Sequence, residues 1–271
     1  MTMKLPGLIK PKMWIYLSLL VGAIGAMIAL KNCSHEVISS PVTSSGDTLD
    51  VAIEYSPLSL YMYNDTLGGF NRDLLLLIEK YSHRPIKLHP IVNLQKSLGM
   101  LEEGNYDIVA AQLPSTKEFK DKYLFTDSIY IDRQILVQKL DSTKVAVKSQ
   151  LDIAGKTLHV VAGSPVISRI ENLSRELGDT INIIKEERYG QEQLFLMVET
   201  GEVDYAVVNE KLAKELAKKY KDIDVSTAVS FNQFQAWVLK KDNVALRDSV
   251  NSWLKNLRQT KEFQELYKRY F

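Results

Sequence analysis

The chain has 271 residues, and its 45% hydrophobic and 25% charged content is that of a folded globular protein, which excludes a disordered or collagen-like chain. Its 34 basic and 33 acidic residues leave a net charge of +1, and no run of Lys and Arg alternates with aromatics, so nucleic acid is excluded as a partner. His35, His83, His89, His159 and the single Cys33 are scattered without metal-ligand spacing, which excludes a zinc site and a disulfide framework; no cofactor or metal is expected.

Met13 to Leu30 is a run of 18 uncharged positions preceded by Lys4, Lys10 and Lys12. As a helix it would span ~27 Å, enough for a hydrocarbon core. The flanking lysines place residues 1–12 in the cytoplasm and send the rest of the chain across the membrane. A buried core helix fits poorly, because the run is apolar on every face and the polar stretch HEVISSPVTSSGDT follows it. The first reading of 13–30 is an uncleaved signal anchor, since it outlasts a signal-peptide core and lacks a small-x-small cleavage site. The second reading is a lipoprotein through Cys33, against which Leu30-Lys31-Asn32 is a poor lipobox; cleavage and release is a further alternative.

Residues 31–48, rich in Ser and Thr, read as a linker. From Leu49 short strands alternate with amphipathic helices. LDVAIE (49–54) is a strand; Phe70 to Ser82 is a helix with an apolar stripe at Leu74, Leu75, Leu77 and Ile78. IKLHPIV is a strand, Asn93 to Glu103 a helix, and YDIVAA (106–111) a continuous apolar strand. This alternation predicts a mainly parallel sheet covered by helices. The pattern then runs again: strand TLHVVA (157–162), helix Ser164 to Leu177, strand INIIKE, helix Gln191 to Thr200, strand VDYAVV (203–208).

The two passes share a local repeat. The stretch from Met100 through Gly104 and Asp107 to Gln112 lines up with that from Met197 through Gly201 and Asp204 to Asn209. In each copy a helix ends at a glycine able to take the left-handed cap conformation, and a buried strand follows. A further strand (FQAWVLK, 234–240) and helices at Asn243 to Leu257 and Lys261 to Tyr270 are too little for a third lobe. They return to the first. The predicted organisation is lobe 1 at 49–130 and 231–271, and lobe 2 at 131–230. Two crossings of the backbone between lobes make a hinged clamshell, with a cleft at the carboxyl ends of the parallel strands.

In these residues the sequence resembles the family-3 extracellular solute-binding proteins. The resemblance is carried by EYSPLSLY, GGFNRDLLLLIEK, GNYDIVAAQ, FTDSIY, AGKTLHVVAGSP, GEVDYAVVN and EFQELYKRYF, in the right order over 49–271. It implies an α/β fold of the type II periplasmic-binding-protein class, a two-lobed clamshell with two crossover strands, preceded by one amino-terminal transmembrane or signal segment. A narrower likeness is also visible. SPLSLY, RQILVQK and the stretch from ENLSRELGD through MVETGEVDY resemble the amino-terminal domain of the membrane-bound lytic transglycosylase F family, in which a separate catalytic domain follows. The sequence ends at Phe271, where that likeness ends, and no catalytic domain is expected.

The resemblance also implies what the cleft lacks. Amino-acid-binding members use an arginine to grip the ligand carboxylate, a match of planar fork to planar anion. Counting from Leu113 through Thr116 to Phe125 puts that position on Phe119, and the family's acidic partner for the ligand amine falls on Asn209. Burying a zwitterion without either charge would cost several kcal/mol. Free α-amino acids are therefore doubtful ligands.

The remaining cleft candidates are Tyr55 and Tyr61 for stacking, and Ser59 and Thr116 for hydroxyl hydrogen bonds. Asn71 and Asp73 lie at the first helix's start, where capping is the structural alternative. Gly163 and Ser164 open a helix whose N–H groups attract anions. Gln112 and Asn209 stand at equivalent positions of the repeat. Glu54, Asp73, Asp107 and Asp204 are the carboxylates that acid–base work as in glycosidases would have to pair, but Asp107 and Asp204 sit at strand starts and read as structural.

The expected function is a non-catalytic, membrane-tethered domain in the bacterial periplasm that binds a small polar ligand, a peptidoglycan fragment or peptide, and signals to a membrane or cell-wall protein partner. The alternatives are the receptor of an ABC transporter for amino acids or related solutes, a truncated lytic transglycosylase-like protein, and a scaffold whose cleft binds nothing.

Overall fold

The computed structural model describes Gly22 and residues 48–141 and 145–271. The expected membrane segment at 13–30, Cys33 and nearly all of the 31–48 linker lie outside the described residues. Among the described residues no helix is long and apolar enough to cross a membrane.

The chain opens with β1 (Leu49–Glu54), a hairpin of β2 (Tyr61–Tyr63) and β3 (Thr66–Gly68), then α1 (Phe70–Ser82). Next come β4 (Ile86–Ile91), α2 (Leu94–Glu102), β5 (Ile108–Pro114), the short α3 (Lys117–Lys122), β6 (Tyr123–Phe125) and β7 (Tyr130–Asp132). The middle section is β8 (Gln134–Lys139), β9 (Thr157–Val161), α4 (Val166–Leu177), β10 (Asn182–Glu186), α5 (Gln191–Thr200), β11 (Tyr205–Asn209), α6 (Glu210–Ala217) and β12 (Ile223–Asp224). The chain closes with β13 (Gln233–Lys240), α7 (Val244–Leu257) and α8 (Lys261–Tyr270).

These strands form two larger sheets, in the orders β4-β1-β5-β13-β6 (with β7 also on β13) and β10-β9-β11-β8-β12. Both are mixed, which corrects the expectation of a mainly parallel sheet. In the first, β4, β1 and β5 are parallel and β13 is antiparallel to β5; in the second, β10, β9 and β11 are parallel and β8 is antiparallel to β11. The two antiparallel strands are the ones that arrive directly from the other sheet. The start of β8 lies against the end of β11 (Gln134 opposite Asn209), and the start of β13 against the end of β5 (Gln235 opposite Pro114). A strand entering where its neighbours finish has to run the other way.

Local sequence explains most elements. Strand β5 is buried along its whole length, as a strand covered on both faces should be. Helix α1 buries Leu74, Leu75 and Ile78. The repeated unit closes identically in both copies: Gly104 and Gly201 have φ of 82° and 79°, and the Met100 and Met197 carbonyls each accept an N–H five positions on, at 2.9 Å. That is the left-handed helix stop expected of a glycine there.

Helices α7 and α8 pack through Val250, Leu254 and Leu266 into one apolar cluster with α1 and the first sheet, around Trp237. A second cluster fills the second sheet beneath α4. A third runs through both sheets, from Leu98 of α2 and Val109 of β5 to Phe195 of α5 and Val208 of β11. The two sheets therefore share apolar contact as well as their two connections.

Candidate functional site

Strands β1, β5 and β11 end, and β8 begins, at a cluster of amide and carboxyl side chains. Asn209 Nδ2 donates to Gln112 Oε1 at 2.8 Å and to the Gln112 carbonyl at 3.3 Å, joining the end of β11 to the end of β5. Gln134 Nε2 donates to Asn209 Oδ1. Gln191, the first residue of α5, accepts from the Asn209 backbone N–H at 2.7 Å and donates through Nε2 to Glu54 at 3.3 Å. Glu54 also accepts from the Gln112 N–H at 3.4 Å. Gln112, Gln134 and Asn209 are 3%, 3% and 1% exposed.

Two features make this cluster chemically distinctive. Burial pushes the Glu54 carboxyl up from 4.5 to about 7, against the lowering effect of its hydrogen bonds from Gln112 and Gln191. Among the described residues the buried Gln112 Nε2 has no hydrogen-bond partner, so the cluster presents one donor that still needs an acceptor. Beside it, the connection from β7 to β8 carries Asp132 and Arg133. Arg133 grips Glu210 through Nε and Nη2 at 2.8 and 2.7 Å, which with Lys214 holds the Glu210 carboxyl low. Desolvation pushes Asp132 up to about 6, although it accepts the Arg133 and Lys211 N–H groups.

The structure thus brings Gln112 and Asn209 together across the two sheets. It disperses several other sequence candidates. Ser59 and Asn71, 0% and 2% exposed, are committed within the first half: Asn71 Nδ2 donates to Ser59 Oγ at 2.8 Å, and its Oδ1 accepts the Trp237 indole N–H at 3.1 Å. Neither caps α1, whose N-cap is Gly69. Asp73 is engaged by Arg72, Arg269 and the Tyr270 hydroxyl at 2.7, 3.5 and 2.9 Å. Thr116 caps α3 by accepting the Phe119 N–H at 3.4 Å, and Phe119 packs on the shared core with its ring 5.7 Å from that of Tyr123.

Gly163 has φ 77°, and a Cβ there would stand 3.0 Å from Gln95, so α2 covers this turn. Ser164 Oγ accepts the Val166 N–H at 3.4 Å, a local turn just before α4, whose N-cap is Pro165. Removing the Asn71 amide would strand the Trp237 donor and the Ser59 hydroxyl. Asn71→Ala is accordingly expected to destabilise the fold by about 1–3 kcal/mol in urea denaturation while leaving the amide cluster intact.

Sequence reading missed Gln134, Gln191 and the placement of Glu54. A polar residue opening or closing an otherwise apolar strand, as in QILVQ and LDVAIE, was the available signal. Nothing local identifies a partner 137 positions away, the separation of Glu54 and Gln191.

One residue further along each segment, Tyr55 and Glu192 line a groove of about 750 Å³. Its first-half lining includes Tyr61, Met62 and Tyr63 of the β2–β3 hairpin and residues 268–271, where Tyr270 holds Gly69 and Asp73; α5 and the end of α6 supply the rest. Tyr55 and Tyr61 thus flank this groove, with Tyr55 37% exposed.

Comparison with known proteins places these features in context. The model for "Bacterial extracellular solute-binding proteins, family 3" matches residues 48–271. The "Membrane-bound lytic murein transglycosylase F" of Desulfosudis oleivorans is 24% identical over 222 residues, covering 82% of this chain and 48% of that protein. The protein of the same name from Alteromonas mediterranea is 23% identical over 253 residues, covering 90% and 54%. The chain spans about half the length of these curated relatives, over their amino-terminal part. Among solved structures, an ancestral arginine-binding protein bound to arginine superposes with a TM-score of 0.72 at 22% identity, covering 83% of this chain and 98% of that one. Holo ArgBP from T. maritima gives a TM-score of 0.68 at 21% identity, covering 84% and 97%. These likenesses show a common fold.

Proposed function

Because this chain belongs to the bacterial extracellular solute-binding proteins, family 3, matched across residues 48–271, we propose that it is a non-catalytic domain, tethered to the inner membrane through 13–30, that closes two lobes on a small polar ligand in the periplasm. Lobe 1 comprises 49–130 and 231–271, lobe 2 comprises 131–230, and the ligand is a peptidoglycan fragment or peptide. A membrane or cell-wall protein would read the closed state.

The observation that carries this reading is the pair Gln112 and Asn209, one from each lobe, hydrogen-bonded at 2.8 Å with the Gln112 Nε2 donor left over. That arrangement suits a neutral or acceptor-rich group, such as a peptide carbonyl, better than a zwitterion. Phe119 supplies no positive charge, and its packing on the core ties it to structure. Gly163 and Ser164 would add N–H donors only once Gln95 moved aside, with Tyr55, Tyr61 and Thr116 at the periphery.

One observation favours a second reading, the receptor of an ABC transporter for amino acids. Glu54 stands in contact with the same cluster and, when ionised, could pair with a ligand ammonium in place of the missing acidic residue. A thermal-shift screen of free amino acids, dipeptides and soluble muropeptides separates the two. Ligand at a hundredfold over its Kd stabilises the fold by ~2.7 kcal/mol, a shift of a few degrees. A dipeptide or muropeptide shift that disappears in Asn209→Leu is expected. A shift with free amino acids that disappears in Glu54→Gln would favour transport instead, and no shift with any ligand would overturn both readings.

A further inference from the structure

We infer that the groove beside the amide cluster is a binding region of its own, for a short peptide longer than any single amino acid. The inference rests on the reading above only in taking the chain to be a binding protein. At about 750 Å³ the groove lies in the size range of sites that bury molecules much larger than one amino acid. The amide cluster, by contrast, is packed side chain against side chain.

The lining is complementary to a peptide. Part of it is carbon-rich: Tyr61, Met62 and Tyr63 are carried by the hairpin, with Met62 and Tyr63 59% and 71% exposed. Exposed aromatics of this kind bind apolar side chains and peptide planes at low entropic cost. The tight Asn64–Asp65 turn, with φ of 46° and 59°, and the Tyr61 ring resting on Gly68 hold that part in place.

The rest of the lining carries charges of both signs, from α5 and the end of α6 and from Lys268 and Arg269 beside the hairpin. Glu215 and Lys218 neutralise each other, and Arg269 is engaged by Asp73. Lys268 makes no ion pair among the described residues, and Glu192 faces Lys219 without a salt bridge. Burial holds the Glu192 carboxyl above its ordinary value, so an incoming ammonium would relieve it. Lys268 and Lys219 are then available to a terminal carboxylate. A zwitterionic chain with its apolar face on the tyrosines satisfies both parts of the lining; a uniformly anionic or purely apolar ligand satisfies one.

Isothermal titration calorimetry with Ala-Phe-Ala, its carboxy-terminal amide and free alanine tests the inference. The tripeptide is expected to bind, its amide and the Lys268→Ala and Tyr61→Ala variants to bind about tenfold or more weakly, and alanine not to bind; circular dichroism checks that the variants are folded. Lys255→Ala, an exposed change on α7 outside the groove lining, is expected to leave tripeptide affinity within about threefold. Binding that survives in Lys268→Ala and Tyr61→Ala but disappears in Asn209→Leu would place the peptide at the amide cluster, overturning the groove while supporting the first reading. Equal binding of alanine and tripeptide, or no binding of the tripeptide to the unmodified chain, would overturn the groove directly.

Discussion

Gly69→Ala is expected to destabilise the fold by about 3 kcal/mol or more, the sum of a strained backbone and an overpacked contact. Gly69 precedes α1 with φ 124°, a conformation that residues with a Cβ rarely adopt. An added Cβ would stand 2.2 Å from the Ser59 carbonyl oxygen and 2.8 Å from the Leu60 nitrogen. The obstruction is backbone and cannot swing aside. The Ser59 carbonyl is pinned by the Arg72 N–H at 3.1 Å, and the Phe70 N–H holds the Leu58 carbonyl at 2.8 Å. This junction sets the segment that carries Tyr55 and Tyr61 against the start of α1. Gly104→Ala is the control: its φ of 82° is also left-handed, but none of the described residues beyond its chain neighbours comes within 4 Å of the added Cβ, so about 1 kcal/mol is expected. Equal urea midpoints for the two variants would show that the close approach at Gly69 does not exist.

The second large effect is a pH dependence that Glu54→Gln should remove. Burial raises the Glu54 carboxyl from 4.5 to about 7, so the folded chain holds this proton more tightly than the unfolded chain. Its favourable contribution is complete below pH 4.5 and is lost as pH rises through 7, by up to about 3 kcal/mol. Asp132, raised by burial to about 6, adds a loss of the same sign between about pH 4 and 6. Stability measured by denaturant titration should therefore fall between pH 5 and 8. Glutamine at 54 keeps an acceptor and carries no charge to bury. The variant should be up to about 3 kcal/mol more stable than the parent at pH 8, and little changed at pH 4.5. Parallel pH profiles for parent and variant would mean that Glu54 is hydrated in the folded chain.

Much of the fold was legible because its signals are local. The stripe at Leu74, Leu75 and Ile78 defined α1 to the residue, and Gln191–Thr200 and Lys261–Tyr270 were placed as accurately. The paired Met–Gly–Asp units read as two copies of one helix–turn–strand device, and their caps match bond for bond. The order of motifs from 49 to 271 pointed to the solute-binding family that the matched model identifies. Strand direction was less accessible. Continuous apolar runs such as those of β5 and β13 report burial on both faces and are silent about which way a neighbour runs.

The candidate site divides along the same line. Sequence by itself determined that Gln112 and Asn209 hold equivalent places, because the repeat is a pattern of residue types along the chain. Only the tertiary structure decided that these two meet, that Gln134 and Gln191 join them, and that Ser59 and Asn71 turn instead toward Trp237. The physical reason is that periodicity records how much a position is buried, whereas a polar side chain's role depends on the atom opposite it. That atom is 97 positions away for Gln112 and Asn209 and 166 away for Asn71 and Trp237, and the path of the chain between two sheets puts it there.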